Sequence, residues 1–304
     1  MSDESISYRP NPKISVVVLT YNCAAWISRT LVALTALPEE PNIIVVDNGS
    51  RDKTIEIIEQ SFPLVEIIRL STNIGAAARN QGVRYAQTPY VAFCDDDTWW
   101  APGSLKKAVD LYDRYDNLAL INAKIAIGEA QRVDSISEKM ARSPMPPRYG
   151  LPGHTLLSFM AGASAVRREA FLQVGGYDAR LFLGGEEEIV GCDLVVAGWE
   201  MRYIPEVIVH HYPSNQSSTN LRHYGIRNTL WFAWRRRPWC QALSWTFYIA
   251  RTAPKNLSTV RGFYLALRGL PWAMRDHRVV PREVENQLKM LDRQKRTSEA
   301  RRYK

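Results

Sequence analysis

Four short runs of aliphatic and β-branched residues, each separated from the next by a helix-length segment, occupy the first hundred residues and constrain the fold more than any other feature. Ile14–Thr20 (ISVVVLT), Ile43–Asp47 (IIVVD), Val65–Arg69 (VEIIR) and Tyr90–Cys94 (YVAFC) read as strands. Three of them are free of charge up to their last residue, as expected of strands buried on both faces. Cys23–Ala36, the stretch through Ser61 with Ser50 as N-cap, and Gly75–Ala86 read as the intervening helices. Parallel neighbours can be joined only by a long crossover, so this alternation implies right-handed βαβ units. The expected class is α/β, with a mostly parallel sheet flanked by helices.

Beyond residue 100, Pro102–Tyr115 reads as a helix, Leu118–Ile127 and Met160–Val166 as strands, Arg168–Val174 and Glu186–Ala197 as helices, and Met201–Val209 as two short strands around Pro205. Residues 128–153, with Pro144, Pro146, Pro147 and Pro152 and weak periodicity, read as a mobile excursion over the site. The expected organisation is a leader over 1–12, an α/β domain over 13–220 and a helical extension over 221–304.

Charge divides the chain in the same way. Residues 221–304 carry +14 and residues 1–220 carry −6, within a total of +8. In the extension, Trp231, Trp234, Arg235, Arg236, Arg237 and Trp239, followed by Arg251, Arg261, Arg268 and Arg275, alternate aromatic rings with cations. That pattern suits an interfacial surface on the inner membrane leaflet, while a solvated or dimer-forming tail, and hence a homo-oligomer, fits the same charges. No nucleic acid partner is expected, because no RNA-binding module is present. Cys23, Cys94, Cys192 and Cys240 form no CxxC pair and read as small core residues in a reducing compartment. The first residues, MSDESISYRPNPK, lack a signal-peptide pattern, and no stretch approaches ~18 uncharged apolar residues. The expected location is cytoplasmic, peripheral to the membrane at most.

Chemistry concentrates at the strand ends. Asp95, Asp96 and Asp97 follow the fourth strand, where open α/β sheets bind ligands. Adjacent carboxylates repel, so three at a buried terminus ask for an offsetting cation, Mn²⁺ or Mg²⁺. Strand one ends in Thr20-Tyr21-Asn22 and strand two in Asp47-Asn48-Gly49-Ser50, which brings donors, an aromatic face and a carboxylate to the same edge. That set suits a nucleoside. GxGxxG and GxxxxGK[ST] are both absent, which argues against nicotinamide-dinucleotide enzymes and P-loop NTPases.

In order, ISVVVLTYN, IIVVDNGSRDKT, NIGAAARNQGVRYAQTPYVAFCDDDTWWAPGSL, AGASAVRREAFLQVGGYD, GGEEEIVGCDLVVAGW and His210-His211 resemble the family-two glycosyltransferases of the GT-A fold, over about residues 12–215. The resemblance implies that Thr20, Tyr21 and Asp47, with Asn22 beside them, contact the nucleoside of a UDP-, GDP- or dTDP-sugar, and that Asn73, Gly75 and Arg79 lie near its phosphates. Asp95 and Asp97 match the acidic positions of the DXD motif, with Asp96 in the variable slot. Asp97 is then the expected direct metal ligand, and Asp95 the partner of ribose or metal-bound water. Glu187 falls where such enzymes usually carry an aspartate base, with Glu186 and Glu188 able to substitute. His211, or its neighbour His210, would complete the metal site. Implied overall is inverting transfer of a sugar to a hydroxyl of a glycan or lipid-linked acceptor. A catalytically silent nucleotide-sugar or membrane-binding module is the alternative, left open by three glutamates where an aspartate is usual.

Overall fold

The computed structural model describes residues 12–147, 150–213 and 221–297. Most of the expected leader, residues 1–11, lies outside the described residues, and so does the expected boundary at 220. The first half alternates as β1 (Ile14–Thr20), α1 (Ile27–Thr35), β2 (Asn42–Asp47), α2 (Thr54–Ser61), β3 (Glu66–Arg69), α3 (Arg79–Tyr85) and β4 (Tyr90–Asp95). It continues through β5 (Thr98–Trp100), α4 (Ser104–Arg114), β6 (Leu118–Ile127), β7 (Arg132–Val133), α5 (Ser135–Ala141) and β8 (His154–Thr155). Then come β9 (Ser164–Arg167), α6 (Arg168–Gln173), α7 (Glu186–Val196) and β10 (Glu200–His211). Five helices close the chain: α8 (Arg222–Arg236), α9 (Trp239–Thr252), α10 (Leu257–Arg268), α11 (Leu270–Arg275) and α12 (Arg282–Thr297).

The strands form one sheet in the order β3-β2-β1-β4-β9-β6-β10-β5, with β7 on β6 and β8 on β10. β1, β2, β3 and β4 run parallel, as do β6 and β10, while β9 and β5 are antiparallel to their neighbours. Alternation along β1 sends Ile14, Val16 and Val18 to one core and Val17 to the other. The first core includes α1, α2 and α4, and the second α3, α6 and part of α7. α7 is apolar almost all round because Val190 and Leu194 face the sheet while Ile189 and Cys192 face a third core. That third core belongs to α8–α12, so the C-terminal helices share apolar packing with the sheet domain.

Several expectations need correction. Ser50 caps no helix: its hydroxyl accepts from the Asn22 amide at 2.9 Å, and α2 begins at Thr54. Gly75–Ala78 is a 3₁₀ turn and α3 starts only at Arg79, while Ala161–Ala163 forms another ahead of β9. Residues 128–153 are not a structureless excursion. Asp134 accepts from the Ile136 amide at 2.7 Å and so starts α5, which packs on β6 and β10. β10 is one strand of 12 residues, with Pro205 in a bulge between Ile204 and Ile208 where the ladder to β6 is interrupted and no amide is needed.

The Trp/Arg pattern is largely interior. Trp231 and Trp234 are buried in the third core, and Arg235, Arg236 and Arg237 pair with Asp276, Asp193 and the Glu285–Asp292 couple. Those residues therefore offer no interfacial surface. Cys23, Cys94 and Cys192 are buried free thiols, and Cys240 is an exposed one.

Candidate active site

The register of the sheet edge assembles the first acidic cluster. β5 pairs antiparallel with β10 so that Thr98 lies opposite His211, which brings the preceding residue, Asp97, beside the same imidazole. His211 Nε2 stands 3.5 Å from Asp97 Oδ2, and the Tyr212 amide donates to the Asp97 carbonyl at 3.0 Å. The Asp97 hydrogen bond raises the pKa of His211 against the opposing effect of burial. His210 points the other way, against Trp99, and burial lowers its pKa. Its Nδ1 has no hydrogen-bond partner among the described residues.

The three aspartates have three different environments. Asp95 pairs with the buried guanidinium of Arg79 and leans over Gly162, where any Cβ would collide with its carboxylate. Asp96 turns back onto β1: it accepts from the Thr20 hydroxyl at 2.9 Å, and its carbonyl accepts from the Thr30 hydroxyl at 2.7 Å. Burial and the charge of Asp95 push the Asp96 carboxyl up to about 6. Only Asp97 meets an imidazole.

Across the described residues no three His, Cys, Asp or Glu side chains come together as a metal-binding group. Asp97 and His211 nonetheless supply one carboxylate oxygen and one imidazole nitrogen side by side, a donor pair that suits Mn²⁺ when substrate oxygens fill the remaining positions. The residues fit a cation shared with a diphosphate, and not a cage built by the protein alone.

The edge expected to meet the nucleoside is held by hydrogen bonds. Both Asp47 carboxylate oxygens accept from the Ser50 amide at 3.2 Å, which shapes the turn after β2. Asn22 has φ +52 and accepts from the Arg51 amide at 2.8 Å, joining the two loops, while the Tyr21 ring is 42% exposed at their rim. Asn48, which sequence reasoning passed over as a turn residue, donates to Asn73 at 3.0 Å and to the Gly75 carbonyl at 3.1 Å and accepts from the Ile74 amide at 2.9 Å. It pins the 73–75 loop. Gly75, at φ +67, lies so close to the Phe182 carbonyl that no side chain fits.

That contact leads to the second acidic cluster, Glu186, Glu187 and Glu188, in the first turn of α7 behind Gly185 at φ +91. Burial, then the charge of Glu186, push Glu187 up to about 8, against the backbone N–H and Arg79, which hold it down. Burial also raises Glu186, whose Oε2 has no hydrogen-bond partner among the described residues. Burial alone would pull the Arg79 guanidinium down, but the charges of Asp95, Tyr177, Glu186 and Glu187 keep it raised. Arg79 therefore pairs with the first acidic cluster and feels the charge of the second.

The loop before α7 is fastened by residues far away in sequence. Asn228 on α8 donates to the carbonyls of Leu181 at 2.8 Å, Leu183 at 3.2 Å and Gly184 at 2.8 Å, and Arg227 donates to the carbonyls of Arg180 and Leu181. Asn80 and Tyr177 exchange a side-chain and a backbone bond of 2.8 and 3.0 Å behind the same loop. The available signal was an Arg-Asn pair inside the otherwise apolar face of a helix. Beside Glu188 opens a cavity of about 610 Å³, walled by α5, residues 156–160 and α12.

The family model for Glycosyl transferase family 2 matches residues 15–175, more than half of the 304-residue chain. The N-acetylglucosaminyl-diphospho-decaprenol L-rhamnosyltransferase of Mycobacterium tuberculosis is 26% identical over 271 residues, which cover 77% of this chain and 88% of that protein. Staphylococcus aureus TarS in complex with UDP-GlcNAc aligns with a TM-score of 0.56 at 18% identity over 72% of this chain, which spans only 65% of that one. A mannosyltransferase of Pyrobaculum calidifontis in complex with GDP-Man and Mn²⁺ aligns with a TM-score of 0.53 at 17% identity, over 96% of this chain and 77% of that one. Because the matched region runs through the strand ends that carry Thr20, Asp47 and the aspartate triplet, the chain belongs to Glycosyl transferase family 2 and is a glycosyltransferase of the GT-A fold.

Proposed function

We propose that the chain transfers a sugar from a nucleoside diphosphate sugar to a hydroxyl of a lipid-linked glycan, by a single inverting displacement at the inner face of a membrane. The observation that supports this reading is Arg79, which pairs with Asp95 of the aspartate cluster on β4 and whose guanidinium also feels the charges of Glu186 and Glu187 on α7.

Tyr21 offers an exposed ring for the base, and Thr20 and Asp47 stand at the same edge to meet the base or ribose. Asp97 and His211 are the residues that would hold Mn²⁺ or Mg²⁺ with the donor's diphosphate, where the ion would offset the charge growing on the leaving group. Glu187 accepts the proton of the acceptor hydroxyl as its oxygen bonds to the anomeric carbon and the bond from that carbon to the diphosphate oxygen breaks. A carboxyl pushed up to about 8 is a stronger base than an ordinary carboxylate, which suits it to a proton that leaves only in the transition state. The cavity beside Glu188 supports an acceptor with an apolar and an anionic part, because Met140, Met145 and Phe159 line it together with Lys139 and Arg142. The Mycobacterium tuberculosis relative names an acceptor of that kind, a sugar on a diphospho-decaprenol.

The test is a donor panel: UDP-, GDP- and dTDP-sugars with Mn²⁺, Mg²⁺ or chelator, scored for donor hydrolysis and for transfer to a polyprenyl diphosphate sugar. Metal-dependent turnover of one donor, increased by the lipid acceptor, is the expected result. Absence of turnover with every donor would leave the silent binding module as the better reading.

A further inference from the structure

α10 and α11 are built inside out for a solvated helix pair. Their fully buried positions are small: Gly262, Ala266 and Ala273 are buried, and a side chain at Gly262 or Gly269 would run into Ile226 or Trp231 of α8. A second set of large apolar residues faces outward, opposite Phe263, Leu270 and Trp272, which pack on the third core. Leu257, Val260, Tyr264, Leu267 and Met274 are 86, 66, 61, 59 and 52% exposed. With Pro271 they recur at alternating steps of three and four, which lays them along one helical face. A row of large apolar side chains held in water is costly unless something covers it.

The charges beside that row select the cover. Arg261, Arg268 and Arg275 each follow a stripe residue and recur every seventh position, all exposed and none engaged in an ion pair among the described residues. Between Trp239 and Arg275 there is no Asp or Glu, while Arg251 and Lys255 add two more cations. A second copy of the chain meeting this face symmetrically would set arginine against arginine with no acid to intervene. Anionic phosphates set over an apolar layer answer both halves of the pattern. No helix among the described residues is long and apolar enough to cross a membrane, so such a face would lie on one.

We propose that the exposed face of α10–α11 docks on a membrane surface rich in anionic lipid, with Val260, Tyr264, Leu267 and Met274 entering the acyl boundary and Arg261, Arg268 and Arg275 meeting headgroup phosphates. Its purpose rests on the lipid-linked acceptor proposed above, but its test does not.

The full chain is sedimented with vesicles of phosphatidylcholine alone or mixed with phosphatidylglycerol, and donor hydrolysis is followed in the same samples without vesicles. Binding to the anionic vesicles and its weakening by salt are expected. Replacing the three arginines with alanine lowers the partition coefficient about a hundredfold, from about 1 kcal/mol per cation near such a surface. Leu267→Ser with Val260→Ser reduces it further, and all variants keep wild-type donor hydrolysis and melting temperature. Equal binding by wild type and the arginine variant, or no binding to anionic vesicles, overturns the proposal. So does a dimer in light scattering that depends on the stripe, which would make a second copy the occupant. Vesicle binding without donor turnover would count against the catalytic reading alone.

Discussion

The chain carries two acidic triplets, Asp95–Asp97 after β4 and Glu186–Glu188 at the start of α7, and the fold partners them differently. Each aspartate is given its own partner: Arg79 for Asp95, the Thr20 hydroxyl for Asp96, His211 for Asp97. The glutamates are crowded, with Glu186 buried and Glu187 and Glu188 half-buried, and Glu187 is pushed up to about 8 by burial and the charge of Glu186. Three carboxylates in a row are thus not one kind of site. The first arrangement spreads negative charge over separate partners and suits the binding of a charged donor. The second concentrates it and raises one carboxyl, as the proposed role of proton acceptor requires.

This division of labour can be broken at either triplet. Glu187→Gln removes the proton acceptor and keeps the shape, so transfer is expected to fall by up to about 10⁴-fold while donor affinity holds, read from steady-state kinetics against donor titration. Asp97→Asn is expected to lower transfer by about 10²–10³-fold and to weaken metal-dependent donor binding as well, because it acts on the charge of the leaving diphosphate. Equal losses of donor binding in both variants would erase the distinction.

Smaller effects sharpen it. Asn228→Ala leaves the Leu181, Leu183 and Gly184 carbonyls without their shared donor. It should cost about 1–3 kcal/mol of stability and, by loosening the turn that aims Glu187, about 10- to 100-fold in kcat with little change in donor KM. Glu186→Gln should do least to the maximal rate and most to its pH dependence. With Glu187 as the proposed base, activity is expected to require it ionised, so the acid limb of the wild-type profile should rise through about pH 8, and loss of the neighbouring negative charge should move it to lower pH. A limb that stays in place or moves upward would separate Glu186 from the base.

The sequence carries these two triplets unequally. β1 and most of β2 and β4 are legible because their burial on both faces leaves runs free of charge up to their last residue, as in ISVVVLT. The edge that places His211 against Asp97 is less so. β5 has only three residues, and its pairing with β10 spans more than a hundred positions, so His210 and His211 look equivalent until the register is known. The same holds for the fastening of α7 by Asn228 and for Arg79, whose links to both triplets come from the third dimension. In α8, the alternation of Trp and Arg that suggests a membrane surface in sequence is the inside of a helical core, since the acids that pair with those arginines lie on α7, in the segment before α12 and on α12. Exposure, which sequence periodicity cannot assign to one face or the other, is found instead on α10 and α11, where the membrane face is proposed.

The most direct test of the division between the triplets is a thermal-shift titration of wild type, Asp97→Ala and Glu187→Gln with the productive donor, with Mn²⁺ and with chelator, alongside transfer by the same samples. The expected result is that Glu187→Gln keeps the metal-dependent stabilisation by donor and loses transfer, whereas Asp97→Ala loses both. Transfer by Asp97→Ala at the wild-type rate, or a Glu187→Gln enzyme that transfers normally, would contradict it.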